Sequence, residues 1–196
     1  MGTVVVRLSI SVDGFIAGPN DGPQNPLGDG GAALFHWWSA GSKRVGPDDR
    51  FRPPEPSRAV AQEMFACGAV ITGRRTFDIA QGWGGRHPLG APFFVLTHKG
   101  PDRDVASGTA VTDGIQHALA LAQAVAGDRD VVVGAADVAR QFLSARLLDE
   151  IHLDVVPVLL AGGVSLFDGL DDHYELECTR VVESDGVTHV RYRTLR

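Results

Sequence analysis

Apolar residues recur along this chain with two periods, and stretches rich in turn formers separate them. Val4, Val6, Leu8, Ile10 and Val12 alternate with other residues, so 4–12 predicts a strand with those five on one face and the small Ser9 and Ser11 on the other. Short apolar runs at 69–72, 93–97 and 130–133 predict strands buried on both faces, the habit of a parallel sheet. Helical spacing fills the gaps. Ser57 is placed to cap a helix through Ala66 with Val60, Met64 and Phe65 inward, and Asp113 to cap a second with Ile115, Leu119, Ala122 and Val125 on one face. Val138, Phe142 and Ala145 mark a third, after Gly134. The C-terminal third changes character: 151–160, 174–182 and 187–195 read as strands, the last two joined by the hairpin signal Ser184-Asp185-Gly186. The predicted fold class is α/β, with a mixed, mostly parallel central sheet flanked by helices and a C-terminal antiparallel hairpin.

Two stretches break the pattern. From Asp13 to Gly31 the chain reads D-G-F-I-A-G-P-N-D-G-P-Q-N-P-L-G-D-G-G, a long loop of the kind that serves as a binding loop or lid. The second, Gly41 to Pro56, carries prolines at 47, 53, 54 and 56 and predicts a surface run.

Composition narrows the function. A chain of 196 residues suits a single domain over 1–196, and 44% hydrophobic with 21% charged residues excludes a disordered chain. No run approaches the ~18 apolar residues of a membrane span, and the N-terminus lacks the basic and apolar regions of a signal peptide. A cytoplasmic protein without membrane contact is expected. The net charge is −6, and the largest basic cluster, Arg74-Arg75, is too small to track a nucleic-acid backbone. Cys67 and Cys178 predict two free thiols. The histidines at 36, 87, 98, 117, 152, 173 and 189 show no metal-ligand spacing, so no metal site is expected.

Candidate chemistry sits where strands end. Gly73-Arg74-Arg75-Thr76 joins a strand to a helix start with two guanidinium groups, a plausible phosphate seat, although the arginines alone also fit solvated surface charges. Leu96-Thr97-His98-Lys99 ends a strand in hydroxyl, imidazole and ammonium groups, and Lys99 alone also fits an exposed strand end. Gly134-Ala135-Ala136-Asp137-Val138 is a strand–Gly–helix unit suited to pyrophosphate, without a G-x-G-x-x-G fingerprint. The fourth segment is Val12 to Asn20, followed by the short helix Ala32–Trp38, whose Trp37, Trp38 and His36 fit either an aromatic substrate pocket or a covered core.

Taken together, in this order, the segments resemble the dihydrofolate-reductase-like superfamily. Within it the chain is most similar to the C-terminal reductase domain of the bifunctional riboflavin-biosynthesis deaminase/reductase. The carrying stretches are S-V-D-G-F-I-A-G-P-N at 11–20, V-I-T-G-R-R-T-F-D at 70–78, F-F-V-L-T-H at 93–98 and V-V-V-G-A-A-D-V-A-R-Q at 131–141. They continue with L-L-D-E-I-H-L-D-V-V-P-V-L-L-A-G-G-V-S-L-F at 147–167 and G-V-T-H-V-R-Y at 186–192. The resemblance implies an NADPH-dependent reductase that passes hydride to a pyrimidine or pterin-like heterocycle, most like 5-amino-6-(5-phosphoribosylamino)uracil reductase. It implies a homodimer as well. Alternatives are dihydrofolate-reductase-type activity and a nucleotide-binding protein without turnover.

Carried over by residue, the resemblance gives Gly73, Arg74, Arg75 and Thr76 the adenosine-side phosphates. Leu96, Thr97 and His98 then flank the adenine ribose and its 2′-phosphate. Ile16 and Ala17 meet the nicotinamide amide, and Gly134, Ala135, Ala136, Asp137 and Val138 the pyrophosphate. Candidate proton handlers are His36, Asp13 and Asp154. Three departures stand out. Ala135 replaces the second of two glycines that dihydrofolate reductases join by a cis bond. Val133 stands where an acid precedes that pair, and the short helix at 34–38 carries no carboxylate.

Overall fold

The structure, a computed structural model, describes residues 2–99 and 108–195. In chain order the elements are β1 (Val4–Ser11), β2 (Phe15–Ala17), a 3-10 segment (Gly31–Ser39), α1 (Ser57–Phe65), β3 (Ala69–Gly73), α2 (Arg74–Ile79) and a second 3-10 segment (Gln81–Gly85). There follow β4 (Phe93–Leu96), β5 (Gly108–Val111), α3 (Ile115–Ala126), β6 (Val131–Val133), α4 (Ala136–Ser144), β7 (Glu150–Val156), β8 (Val164–Ser165), β9 (Leu176–Ser184) and β10 (Val187–Thr194).

Eight strands form one sheet in the order β5-β4-β3-β6-β1-β7-β10-β9. Neighbours from β5 to β7 are all parallel, and β10 runs antiparallel to both β7 and β9. The mixed, mostly parallel sheet with a terminal antiparallel hairpin is therefore what the periodicity predicted. β1 lies inside the sheet because both its faces are apolar near its start. Val4, Val6 and Ile10 pack against α3 and α4, while Val5 faces Met64 of α1 on the opposite side. Each such side chain contributes roughly 1.5–3 kcal/mol by leaving water. The alternation stops one residue early, since Val12 is 62% exposed.

Several local expectations need correction. Neither predicted side-chain cap forms: α1 is preceded by Pro56 and α3 by Gly114, with no side-chain capping bond at either. Ser57 turns its hydroxyl instead to the ring of His189, 2.8 Å away. On α3 the buried stripe is Ala118, Ala122 and Ala126, and Val125 is exposed. Close approach decides this. A Cβ on Gly68, at the entry to β3, would lie 2.6 Å from Ala126 Cα, so only small side chains fit beneath the helix and the larger ones move to its flanks. β7 ends at Val156 rather than Leu160, and β9 starts at Leu176 rather than Tyr174.

His87 yields a pH prediction. Its ring lies 4.6 Å from Trp83 and 6.0 Å from Phe93, and its Nδ1 accepts the Leu89 N–H at 3.2 Å. Burial among these rings pushes its pKa down from 6.5 to about 4. Between those values the unfolded chain takes up a proton that the folded one refuses, so stability is full above about pH 6.5 and falls as the pH drops. The expected loss by pH 4 is about 3 kcal/mol. Urea titrations at neutral and acid pH should show this slope in the parent and a shallower one in His87→Leu; equal slopes would sink the idea.

Candidate active site

All the central parallel strands end on one edge, at Ser11, Gly73, Leu96, Val133 and Val156. Open α/β sheets bind ligands on this carboxyl edge, and the four polar segments singled out above converge there.

The β3–α2 and β6–α4 turns stand side by side. A Cβ on Gly73 would lie 3.7 Å from Ala135 Cβ, and the Gly134 N–H extends the ladder by donating to Ile71 O at 2.9 Å. A Cβ on Gly134 itself would meet only Val70 Cγ1, at 3.9 Å, so bare backbone faces open space. Beside it the Thr72 hydroxyl is buried and has no partner among the described groups. Ala135 is extended, at φ −153 and ψ 141. Among the described residues the cis peptide is Glu55-Pro56, so Gly134-Ala135 is trans. Asp137, in the first turn of α4, points outward to Gln141, whose Nε2 donates at 2.7 Å.

The two arginines are partly neutralised. Arg74 Nε donates to Asp78 at 2.7 Å and its Nη1 to the Lys99 carbonyl at 3.2 Å, while Arg75 Nη2 donates to Asp21 at 2.7 Å. Arg75 thus tethers the long loop. At the end of β4 the buried Thr97 hydroxyl donates to the Lys99 carbonyl at 2.6 Å, leaving His98 and Lys99 exposed.

The Asp13–Gly31 stretch is better tied than a loop of turn formers suggests. Ile16 and Ala17 lie in β2, which pairs with β8 through Phe15↔Ser165 and Ala17↔Val164. Asn20 and Asn25 each donate a side-chain N–H to Asp29, at 2.7 and 2.9 Å. Asp13 is not a free acid. Its carboxylate accepts the N–H of Leu160 at 3.2 Å and of Ala161 at 2.7 Å.

The 3-10 segment resolves the tryptophan pair. Trp37 is core, 3% exposed, with its ring 4.9 Å from His189 and 5.3 Å from Trp38. His36 is exposed.

Asp154 is the clearest departure from the sequence reading. It is 2% exposed and accepts His189 Nδ1–H at 2.6 Å, so it is sealed away from the edge. Strand register explains its company. Ser9, Asp154 and His189 form one row across β1, β7 and β10; Arg7, His152 and Arg191 form the next. α1 lies over both rows. Its Ser57 hydroxyl faces His189 Nε2, its Val60 carbonyl accepts Arg7 Nη2 at 2.7 Å, and its Glu63 accepts from Arg180 and Arg191. Burial pushes the Arg7 guanidinium down from its ordinary pKa, and Asp154 is the first of the charges that offset this. A cavity of about 20 Å³ between Arg7, His152, Asp154 and His189 has room for a single water. Sequence reasoning missed Arg7, Ser57 and His189. The signal for Arg7 and His189 was polar residues two apart on strands otherwise read as apolar: Arg7 and Ser9, His152 and Asp154, His189 and Arg191.

Among solved structures, a provisionally named riboflavin biosynthesis protein from Shewanella sp. PV-4 matches with TM-score 0.69 at 22% identity, covering 99% of both chains. A dihydrofolate reductase from Enterococcus faecalis, complexed with NADP(H) and RAB-propyl, matches at 0.60 with 16% identity over 100% of this chain and 98% of its own. A diaminohydroxyphosphoribosylaminopyrimidine deaminase/5-amino-6-(5-phosphoribosylamino)uracil reductase from Thermotoga maritima matches at 0.61 with 14% identity, over 99% of this chain and 57% of that longer one. These likenesses establish the dihydrofolate-reductase-like fold. No curated protein matches the sequence. The model of the RibD C-terminal domain, however, matches residues 2–190, nearly the whole chain, and the chain therefore belongs to the RibD C-terminal domain family.

Proposed function

We propose that the protein is an NADPH-dependent reductase of a pyrimidine-type heterocycle, in the manner of 5-amino-6-(5-phosphoribosylamino)uracil reduction. The observation that carries this reading is the open backbone at Gly134, set between Gly73 and the β1–β2 loop and flanked by the orphaned Thr72 hydroxyl. Such a bare, donor-lined turn suits a pyrophosphate, and the neighbouring Asp137 carboxylate is turned away to Gln141. In this reading Gly134 to Val138 hold the pyrophosphate, Arg74, Arg75 and Thr76 with Leu96, Thr97 and His98 hold the 2′-phosphate side, and the Ile16 and Ala17 backbone holds the carboxamide. The bound cofactor supplies hydride, and the protein supplies orientation and a proton. With both Asp13 oxygens engaged and Asp154 sealed, His36 is the candidate left in the open. Its imidazole passes a proton to the substrate or to a water beside it.

Titration calorimetry with NADPH and NADH tests the cofactor. NADPH should bind more tightly, and Arg74→Ala should weaken NADPH by about 10–100-fold, or ~1.5–3 kcal/mol, with little change for NADH. Equal losses for both would remove Arg74 from the 2′-phosphate. The same engagement of Asp13 and Asp154 favours a second reading, a nucleotide-binding protein without turnover. NADPH binding with no oxidation across a panel of pyrimidine and pterin substrates would select it.

A further inference from the structure

Two loops meet beside the carboxyl edge, and their contact is held together in a particular way. The first runs from the end of β1 into β2, and the second from the end of β7 into β8. Most of what joins them is backbone: Val12 N–H donates to Val158 O at 3.0 Å, Leu166 N–H to Gly14 O at 3.2 Å, and β2 pairs with β8. Asp13 is the side chain that ties them. Its two oxygens each take one of two successive amides, Leu160 and Ala161. Ala161 has φ 59, so the two N–H groups sit in a turn whose donors converge on an anion. Inside its own loop Asp13 is fixed by Ser11, whose hydroxyl also accepts the Phe15 N–H at 2.9 Å at the entry to β2. These bonds hold the Asp13 carboxyl below the usual carboxylate range, the Ser11 hydroxyl contributing most and the Ala161 and Leu160 amides next.

We propose that Asp13 is a positioning residue: its carboxylate latches the β1–β2 loop to the β7–β8 loop, and so sets the Ile16–Ala17 backbone for the nicotinamide half of the cofactor. The second half of this statement rests on the reading of the protein as an NADPH enzyme; the latch itself does not. Asp13 touches neither cofactor nor substrate in this role. It acts by populating the one loop arrangement in which β2 is aligned. A bound dinucleotide feels the loss of the latch only at its nicotinamide end, because the adenosine end is held by α2 and β4, which Asp13 does not touch.

The test compares NADPH with 2′,5′-ADP, which carries the adenosine half alone, on the parent, Asp13→Asn and Asp13→Ala proteins. If the competent loop arrangement falls to about a tenth of the population in Asp13→Ala, NADPH affinity falls about tenfold while 2′,5′-ADP affinity stays level. Asp13→Asn keeps one acceptor oxygen and should fall between. Equal loss of both ligands, or of neither, overturns the latch. Hydrogen exchange on the ligand-free protein tests the coupling separately. The Leu160 and Ala161 amides, together with the Ala17 and Val164 amides across the β2–β8 pair, should exchange at least about tenfold faster in Asp13→Ala. Unchanged exchange also overturns the latch. Should the parent bind neither ligand, the NADPH reading fails, and exchange alone still decides whether Asp13 couples the loops.

Discussion

Asp154→Ala is expected to cost about 3–5 kcal/mol of folding stability, the toll of removing a buried carboxylate on which a buried imidazole and a buried guanidinium both rely. The change does two things at once. It leaves His189 Nδ1–H, which the carboxylate accepts at 2.6 Å, without an acceptor at a site only 5% exposed. It also removes the first charge that offsets the buried Arg7 guanidinium, which burial already disfavours. The other ring nitrogen of His189, Nε2, meets the Ser57 hydroxyl, so the ring that Asp154 orients also joins β10 to the start of α1. The bond between β10 and the start of α1 therefore depends on Asp154 as well. For a domain of this size the loss corresponds to a fall in Tm of roughly 6–20 °C. Asp154→Asn keeps an oxygen for His189 and removes only the charge, so it should fall between parent and alanine variant. Denaturant unfolding checks both, and an alanine variant within about 1 kcal/mol of the parent would show that Arg7 and His189 find other partners. The same burial holds the Asp154 carboxylate out of solvent beside His189, on the face that α1 covers.

What the sequence revealed and what it hid follow from the range of each signal. The β1 alternation from Val4 to Ile10 was legible because each residue reports its own face, and the Ser184–Val187 hairpin because a turn is local chemistry. The turns at Gly73 and Gly134 were legible because a glycine between a buried strand and a helix has few other uses. β2 and β8 were not. They are three and two residues long, too short for any period, and exist because distant loops lie against each other. The buried face of α3 was misread for a similar reason, since the limit on side-chain size comes from Gly68 and the sheet beneath. The Ser57–His189–Asp154 chain draws on three elements far apart in sequence, and no local window holds more than one of its members.

Gly163→Ala should separate β2 from β8 and weaken NADPH. Gly163 has φ 119, a region that residues with a Cβ rarely adopt. A Cβ there would run into the Ala17 carbonyl oxygen and stand 2.8 Å from Gly18 Cα. Both obstacles are backbone, so no rotamer change relieves them, and the overpacking and the φ penalty together amount to about 3 kcal/mol or more. The ribbon can escape only by letting Ala17 move away from Val164, which displaces the segment proposed to meet the carboxamide. Gly162→Ala supplies the matched control. Its Cβ would rest 3.4 Å from Pro19 Cγ, an ordinary contact with a side chain that can yield. NADPH affinity and amide exchange of Ala17 and Val164 should change sharply for position 163 and little for position 162. Two variants with the same affinity and exchange would mean that the β2–β8 contact is loose enough to admit a methyl group, and that the loops are not set against each other as tightly as the close approach of Gly163 to Ala17 requires.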